Sequence, residues 1–123
     1  VECWGSGTPL REFLHVDDLG NAAIFCLENW QPSNTDAPKD LNGNKLNHIN
    51  IGTGKEISIK QLAEKIADFC NFKGEIIWDL SKPDGTPKKR LDISKITKLG
   101  WSPKIELDHG IKETIRLHNQ FLK

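Results

Sequence analysis

The feature that most constrains the fold is an apolar stripe between Ile59 and Cys70. Its members recur with the spacing i, i+3, i+4, i+7, i+8 and i+11, and they are Ile59, Leu62, Ala63, Ile66, Ala67 and Cys70. This spacing lines up one apolar face on an α-helix, and Ser58 directly before it is a suitable N-cap. Such a helix needs an apolar partner, because propensity alone rarely stabilises a helix of this length.

Three other segments are predicted to be helical. The first begins at Asp17 as its N-cap and runs for about 13 residues, with an inward face of Leu19, Ala22, Ala23, Cys26 and Trp30. A short helix lies within residues 91–99, is capped near Asp92 or Ser94, and ends at Gly100. Asp108 caps the last helix, one face of which is marked by Ile111, Ile115, His118 and Leu122.

Short extended stretches separate these helices. They are residues 1–10, which run into a glycine-rich loop, and residues 12–15, 47–51 and 75–78. Residues 31–46 are rich in proline, asparagine, aspartate, lysine and glycine, a composition typical of a surface loop. Strands that alternate with helices predict an α/β fold, here a small sheet with three or four helices.

The loop at residues 81–90 combines two prolines, one glycine, one carboxylate and four cations. Because proline removes backbone donors, this loop is predicted to be neither helix nor central strand, and Pro83-Asp84-Gly85 is a turn signal. Cations concentrated on a constrained backbone suit an anionic ligand that carries phosphate. The alternative interpretation is a solvated basic loop without a ligand.

The composition limits the class of protein. A chain of 123 residues fits one domain, and 17 basic against 17 acidic residues give no general case for binding nucleic acid or an anionic membrane. No apolar run approaches the roughly 18 residues of a membrane helix. The three cysteines, Cys3, Cys26 and Cys70, are widely spaced and form no CxxC pair. They predict unpaired thiols in a reducing compartment, the cytoplasm, with Cys26 and Cys70 buried on helix faces.

Three motifs follow one another along the chain: WGSGTPLREFLHVDD at residues 4–18, NIGTG at 50–54 and SKPDGTP at 81–87. In this order they resemble the GDP-L-fucose synthase family, NADP-dependent epimerase/reductases among the extended short-chain dehydrogenases/reductases. The first two motifs are similar in many nucleotide-sugar epimerases and dehydratases, whereas SKPDGTP is more specific. The resemblance covers residues 1 to about 121 and matches the C-terminal, substrate-binding part of such an enzyme.

This resemblance implies the activity of the intact enzyme. The family epimerises GDP-4-keto-6-deoxy-D-mannose at two carbons and then reduces it with hydride from NADPH, which yields GDP-L-fucose. It implies a homodimer in which an N-terminal Rossmann half binds most of the NADP(H) and carries the catalytic Ser, Tyr and Lys. That half is expected to be absent here, because the chain has no tyrosine and no dinucleotide-binding glycine loop. No catalytic or cofactor-binding residue is therefore predicted, and the chain alone is expected to be inactive.

The resemblance assigns substrate binding to Trp4, Arg11, Asp84 and Lys89. The indole of Trp4 offers a flat apolar face, and the guanidinium of Arg11 binds phosphate oxygens bidentately. Asp84 would accept hydrogen bonds from ribose, guanine or sugar, and Lys89 would lie near the diphosphate. Lys88 and Arg90 are the alternates to Lys89, and Arg90 stands where the family pattern suggests an apolar residue.

Each of these assignments has a structural alternative. Trp4 is also suited to filling a seam between domains, Arg11 to pairing with a nearby carboxylate (Glu12, Asp17 or Asp18), and Asp84 to capping the turn at Gly85 and Thr86. His15 with the two aspartates suggests a metal site, but no third ligand has suitable spacing, so no metal is predicted.

Two other functions stay open. One is a UDP- or dTDP-sugar epimerase or dehydratase, although such enzymes generally lack SKPDGTP. The other is a non-enzymatic module that binds anionic ligands or partners, which the missing catalytic groups favour and the unpaired apolar helix faces oppose. The partners expected from the resemblance are a GDP-sugar and the Rossmann half, with neither nucleic acid nor membrane.

Overall fold

The computed structural model of the chain describes residues 1–121, which contain five short strands and four helices. The strands are Glu2–Trp4 (β1), Leu10–Arg11 (β2), Ile57–Ser58 (β3), Ile77–Asp79 (β4) and Lys88–Lys89 (β5). The helices are Val16–Asn29 (α1), Ile59–Phe69 (α2), Ser94–Leu99 (α3) and Leu107–Phe121 (α4). The α/β class predicted from the sequence is confirmed.

The strands form two small sheets, where the sequence predicted one. β1 pairs in parallel with β4, so that Glu2 lies opposite Ile77. In the second sheet β2 is central, antiparallel to β3 and parallel to β5. Each sheet therefore joins the start of the chain to a segment beyond residue 76. This pairing brings the glycine-rich loop at residues 5–9 next to the loop at residues 81–87.

Helix α2 begins where the sequence predicts. The Ser58 hydroxyl accepts a hydrogen bond from the Gln61 N–H at 3.1 Å, and the Gln61 side-chain oxygen accepts one from the Ser58 N–H at 3.1 Å. These two bonds form a capping box, which satisfies donors that have no partner inside the helix. Cys70, predicted to be buried, is exposed because it is the C-cap at which the helix ends.

Helix α1 differs from the prediction at its start and on one face. Its N-cap is His15 instead of Asp17, because the His15 Nδ1 accepts a hydrogen bond from the Asp17 N–H at 3.2 Å. Ala22 is fully buried and Cys26 half-buried, whereas Leu19 is 49% exposed. A second apolar stripe faces away from the core and is here named the α1 outer face; its members are Val16, Leu19, Ala23, Ile24 and Leu27. The predicted inward face mixed members of these two stripes.

The buried core is small and lies between α1, α3 and the chain that follows α3. Ala22, Ile96 and Trp101 form its centre, and Leu14, Phe25, Ile49 and Ile51 are among the half-buried side chains against it. Residues 47–51 were predicted to be a strand, and this is wrong: they form no strand although Ile49 and Ile51 supply apolar contacts. The strand in this region is β3, which directly precedes α2.

A buried carboxylate holds the segment before α4 against α1. Asp18 is only 4% exposed, and it accepts hydrogen bonds from the backbone N–H groups of Lys104 and Ile105 at 2.9–3.1 Å. These donors offset the cost of burying the charge. Asp108 lies in the first turn of α4, and its carboxylate pairs with Lys65 of α2 at 2.8 Å.

Helices α3 and α4 and the surface segment 31–46 agree with the predictions in most respects. The short helix α3 ends at Gly100 as predicted, with φ of 109°, and it begins beside Asp92 as predicted: Ile93 occupies the N-cap position, and the Asp92 Oδ1 accepts a hydrogen bond from the Ser94 N–H at 2.9 Å. On the predicted face of α4, Ile111 and Ile115 are half-buried, His118 is exposed, and Leu122 lies outside the described residues. Residues 31–46 lie at the surface apart from the buried Ala37 and a few half-buried positions. No helix among residues 1–121 has the length and apolar character needed to cross a membrane.

Candidate functional site

A hydrogen-bonded clasp joins the glycine-rich loop to the loop that follows β4. The Ser6 N–H donates to the Asp84 Oδ1 at 2.8 Å, and the Ser6 hydroxyl donates to the Asp84 Oδ2 at 2.6 Å. These two donors hold the pKa of the Asp84 carboxyl below its ordinary value. The sequence left open that Asp84 caps its own turn. Instead, its hydrogen bonds within residues 1–121 go to the other loop.

Gly5 is required by the clasp. It has φ of +77°, and a Cβ added there would lie 2.4 Å from the Asp84 Oδ1. Gly7 is equally constrained, because an added Cβ would lie 2.6 Å from the Trp78 ring. The spaces beside both glycines are therefore filled by side chains of the protein itself.

Trp4 lies at the end of β1, beside the clasp, with 71% of its surface exposed. The Lys82 Nζ sits 5.5 Å from the centroid of the Trp4 ring, within the range of a cation–π contact. Within the described residues Trp4 fills no seam. Its exposed indole and the adjacent lysine offer an aromatic face next to a positive charge.

Arg11 and Lys89 occupy neighbouring positions on one face of the second sheet. β2 and β5 run parallel, and Arg11 lies opposite Lys89 in their register. Directly opposed residues on adjacent strands project to the same face, with the strands about 4.8 Å apart. The Arg11 guanidinium also lies against Gly85, where an added Cβ would be 2.9 Å from the Nη2.

These two cations have no acidic partner among residues 1–121. No ion pair of Arg11 with Glu12, Asp17 or Asp18 occurs there, so the alternative interpretation of Arg11 is not supported. The Arg11 Nη1 donates only to the Leu10 carbonyl, at 2.6 Å. The guanidinium therefore keeps donors for a ligand.

Lys88 and Arg90, the alternates to Lys89, have a partner on the opposite face. The Glu56 Oε2 lies 3.0 Å from the Lys88 Nζ and 3.8 Å from the Arg90 Nη1. The Glu56 side chain is only 10% exposed, so this is a largely buried carboxylate between two surface cations. The structure thus separates three consecutive basic residues into two that are paired and one that lies beside Arg11.

Glu12 is a structural residue, whereas the sequence suggested only that it could pair with Arg11. Its carboxylate accepts hydrogen bonds from the backbone N–H groups of Thr53 and Gly54, each at 2.5 Å, and of Leu91 at 2.9 Å. Burial raises the pKa of the Glu12 carboxyl, but these three donors and the Thr53 hydroxyl more than offset burial and leave the pKa below its ordinary value. Glu12 thereby ties β2 to the NIGTG turn and to the residues after β5.

The NIGTG glycines provide the signal that could have identified this role. A Cβ added at Gly52 would lie 2.5 Å from the Glu12 Oε1, so the turn leaves room for the carboxylate of another segment. A glycine-rich turn shows that something approaches the backbone closely. It does not show from the sequence which residue approaches.

Other features of the structure lie away from these residues. A groove of about 860 Å³ runs between α2 and the segment before α4, and none of Trp4, Arg11, Asp84 and Lys89 lines it. The ion pair of Lys55 with Glu106 at 2.7 Å lies at its edge. Among the 121 described residues no group of three or more His, Cys, Asp or Glu side chains is placed to hold a metal ion.

Comparison with known proteins identifies relatives along nearly the whole chain. Residues 1–52 match the NAD dependent epimerase/dehydratase family. The Oryza sativa subsp. japonica protein named "Probable GDP-L-fucose synthase 1" is 46% identical over 116 residues, which are 94% of this chain and 31% of that protein. A GDP-6-OMe-4-keto-L-xylo-heptose reductase from C. jejuni has a TM-score of 0.87 at 42% identity, over 98% of this chain and 34% of that one. A GDP-L-fucose synthetase from Naegleria fowleri, bound to NADP, has a TM-score of 0.75 at 28% identity, over 98% of this chain and 35% of that one.

The chain thus spans about a third of the length of the relatives it matches. The solved relatives confirm the prediction of a segment with the fold of extended short-chain dehydrogenases/reductases. The resemblance to GDP-L-fucose synthases is likewise confirmed at 44–46% identity. Residues 1–52 of the chain thus resemble the NAD-dependent epimerase/dehydratase family, and the chain aligns over nearly its whole length with GDP-L-fucose synthases.

Proposed function

We propose that this chain is the sugar-nucleotide-binding part of an NADPH-dependent GDP-L-fucose synthase. The reaction is 3,5-epimerisation and 4-reduction of GDP-4-keto-6-deoxy-D-mannose. The observation that carries the proposal is the placement of Arg11 beside Lys89 on one sheet face, next to the Ser6–Asp84 clasp. Relatives whose names specify GDP-sugars support guanine as the base of the nucleotide.

The diphosphate is the group that fits the two cations. Arg11 presents a planar fork of donors and Lys89 a mobile ammonium, a combination suited to adjacent phosphates of a nucleotide sugar. Both cations occupy one sheet face, and residues 1–121 supply neither with an acidic partner. A diphosphate bound there exchanges solvent for two charge-assisted contacts.

Trp4 and Asp84 contribute to the same site in different ways. The exposed Trp4 indole packs against the base or the sugar, with Lys82 over its ring. Asp84 holds the two loops together through Ser6, and lone pairs that remain on its oxygens accept hydrogen bonds from ligand hydroxyls. Asp84 therefore acts first as a positioning residue and second as a contact.

NADP(H) is the cofactor that supplies hydride for the reduction, and the glycine-rich loop of this chain does not fit it. The space beside Gly5 is filled by the Asp84 carboxylate, and the space beside Gly7 by the Trp78 ring. We therefore assign most of the cofactor contacts, and the catalytic Ser, Tyr and Lys, to the part of the protein that corresponds to the rest of these relatives.

That remaining part is proposed to pack against the α1 outer face. This face includes Val16, Ile24 and Leu27, which expose 57–81% of their surfaces. An exposed apolar stripe of this kind marks an interaction surface. The intact protein is proposed to form a homodimer and to reside in the cytoplasm, where its three free cysteines stay reduced.

The test is calorimetric titration of GDP-mannose into the whole protein that carries this segment, with UDP-glucose as the competing ligand. We expect selective binding of the GDP-sugar, weakened in Arg11→Ala by about 1.5–3 kcal/mol, the value of a hydrogen bond to a charged group. Arg116→Ala is the matched control, since it removes an exposed guanidinium from α4, where Arg116 pairs with Glu113. Unchanged affinity in Arg11→Ala would refute the assignment, and equal binding of UDP-glucose would favour a UDP-sugar epimerase.

A further inference from the structure

The three consecutive cations of loop 81–90 are divided between two faces of β5. Side chains alternate along a strand, so Lys88 and Arg90 project to one face and Lys89 to the other. Lys88 and Arg90 both approach the same Glu56 oxygen, at 3.0 and 3.8 Å. Lys89 lies opposite Arg11 in the parallel register.

Glu56 reaches its partners across the whole second sheet. It directly precedes β3, and β3 and β5 flank β2 on opposite sides. The Glu56–Lys88 ion pair therefore links the two outer strands over the central strand. β5 has only two residues, so its own ladder provides few hydrogen bonds to fix the register.

The burial of Glu56 favours its contact with Lys88 and Arg90 over exposure of these cations to solvent. The Glu56 side chain is 10% exposed, and within residues 1–121 its Oε1 is buried without a hydrogen-bond partner. A buried carboxylate is costly unless cations compensate it, so contact with Glu56 favours the arrangement in which Lys88 and Arg90 stay on its face. Holding these two residues there leaves Lys89 on the opposite face.

We infer that Glu56 is a positioning residue that commits Lys88 and Arg90 to one face of β5 and thereby sets Lys89 beside Arg11 as the cation that meets a diphosphate. The identity of the ligand rests on the proposed function above. The inference assigns a role to a residue that makes no contact with the ligand face. It also explains why a basic residue is tolerated at position 90, since Arg90 pairs with Glu56.

The direction in which Glu56→Gln changes the affinity for an anion distinguishes a positioning role of Glu56 from a purely electrostatic effect. Glu56→Gln removes a negative charge and releases two cations, so long-range electrostatics alone would tighten the binding of an anion. Loss of positioning would weaken it, because Lys89 would no longer be fixed beside Arg11. The two explanations therefore give opposite results.

We would titrate GDP-mannose and inorganic pyrophosphate into the whole protein and its Glu56→Gln variant at one fixed salt concentration. We expect binding to weaken by roughly threefold or more, within the range of coupling between residues of one network. Glu64→Gln is the matched control, because it makes the same charge change at an exposed position on α2 and should leave affinity unchanged or slightly tighter. Unchanged or tighter binding in Glu56→Gln would overturn the inference.

A second measurement needs no ligand and does not require the variant to fold. Limited acetylation of the unmodified protein, followed by peptide mass spectrometry, gives the relative reactivity of the two neighbouring lysines. We expect Lys89 to react roughly threefold faster than Lys88, because the ion pair with Glu56 protects Lys88. Equal or greater reactivity of Lys88 would overturn the inference. If the labelling shows the difference but no GDP-sugar binds, the proposed function fails while the orientation set by Glu56 stands.

Discussion

Replacing Glu12 tests whether one carboxylate fixes the strand that carries Arg11. The Glu12 oxygens accept three backbone N–H groups, from Thr53, Gly54 and Leu91. The Thr53 and Gly54 donors are partly buried, whereas the Leu91 donor is exposed and can bond to water instead. Each buried donor left without a partner costs about 1–3 kcal/mol.

From these contacts we expect Glu12→Ala to lower the free energy of unfolding by about 3 kcal/mol, with about 1.5 kcal/mol from each of the two partly buried donors. Glu12→Gln keeps one acceptor oxygen but turns an NH2 group towards a backbone donor, so we expect a loss of about 2 kcal/mol. Since 1 kcal/mol shifts the melting temperature of a domain of this size by roughly 4 °C, Glu12→Ala should lower it by roughly 12 °C.

The assay is thermal and urea unfolding followed by circular dichroism, with Glu64→Gln on the exposed side of α2 as the control. The pKa of Glu12 is lowered in the folded protein. Its stabilisation is therefore complete above the ordinary glutamate pKa of about 4.3 and is lost as the pH falls through the lower folded-state value. Glu12→Gln should abolish this acid-dependent part. A Glu12→Gln protein within about 0.5 kcal/mol of the wild type would refute the role given to the carboxylate.

Two other predictions concern the loop clasp and the α1 outer face. Because Ser6 lowers the pKa of Asp84, the clasp should stay closed above the ordinary aspartate pKa of about 3.9 and open as the pH falls through the folded-state value. The NMR shift of the Ser6 amide should report this opening, and Asp84→Asn should abolish its titration; an Asp84→Asn shift that titrates as in the wild type would contradict the clasp. If the rest of the protein covers α1, Leu27→Asp should destabilise the whole protein by about 2–5 kcal/mol. Leu41→Asp, at an exposed position in the surface loop, should leave stability within about 0.5 kcal/mol, and equal effects of the two changes would argue against docking on α1.

Local signals in the sequence predicted those parts of the fold that local interactions determine. Ser58 caps α2 through a bond to a residue three positions away, and Gly100 ends α3 by adopting a positive φ. Both features depend only on neighbours in the chain. The predicted N-cap of α1, Asp17, was wrong. His15 caps the helix instead through a ring nitrogen, and histidine is not among the residues that N-caps commonly prefer.

The faces of α1 could not be separated by periodicity. The inner residues Ala22 and Cys26 and the outer residues Ala23 and Leu27 have the same spacing, so the pattern shows a helix that is apolar on two sides. A second apolar side is the feature expected if the rest of the protein covers α1 as proposed. Which side faces the core depends on the position of Trp101, which lies far away in the sequence.

The candidate site shows the same division between local and distant determinants. Motif resemblance selected Trp4, Arg11, Asp84 and Lys89: β1 ends with Trp4 beside the clasp that contains Asp84, and the register of β2 with β5 places Arg11 opposite Lys89. The sequence could not choose among three consecutive cations, because that choice depends on the register of a two-residue strand against β2 and on a carboxylate reached across the sheet.

Two carboxylates outside the candidate site, those of Glu12 and Glu56, hold the strands of Arg11 and Lys89 in place. Arg11 and Lys89 lie on strands too short to fix their own register, so residues on the other face of the sheet must supply the constraint. Glu12 binds the backbone just beyond β5 and Glu56 binds the side chains within and beside it, both through carboxylates directed away from the two cations. Because each carboxylate is at least partly buried, charge-neutral replacements should loosen the cations of the site. If the proposed diphosphate site is correct, Glu12 and Glu56 are therefore as necessary to it as Arg11 and Lys89.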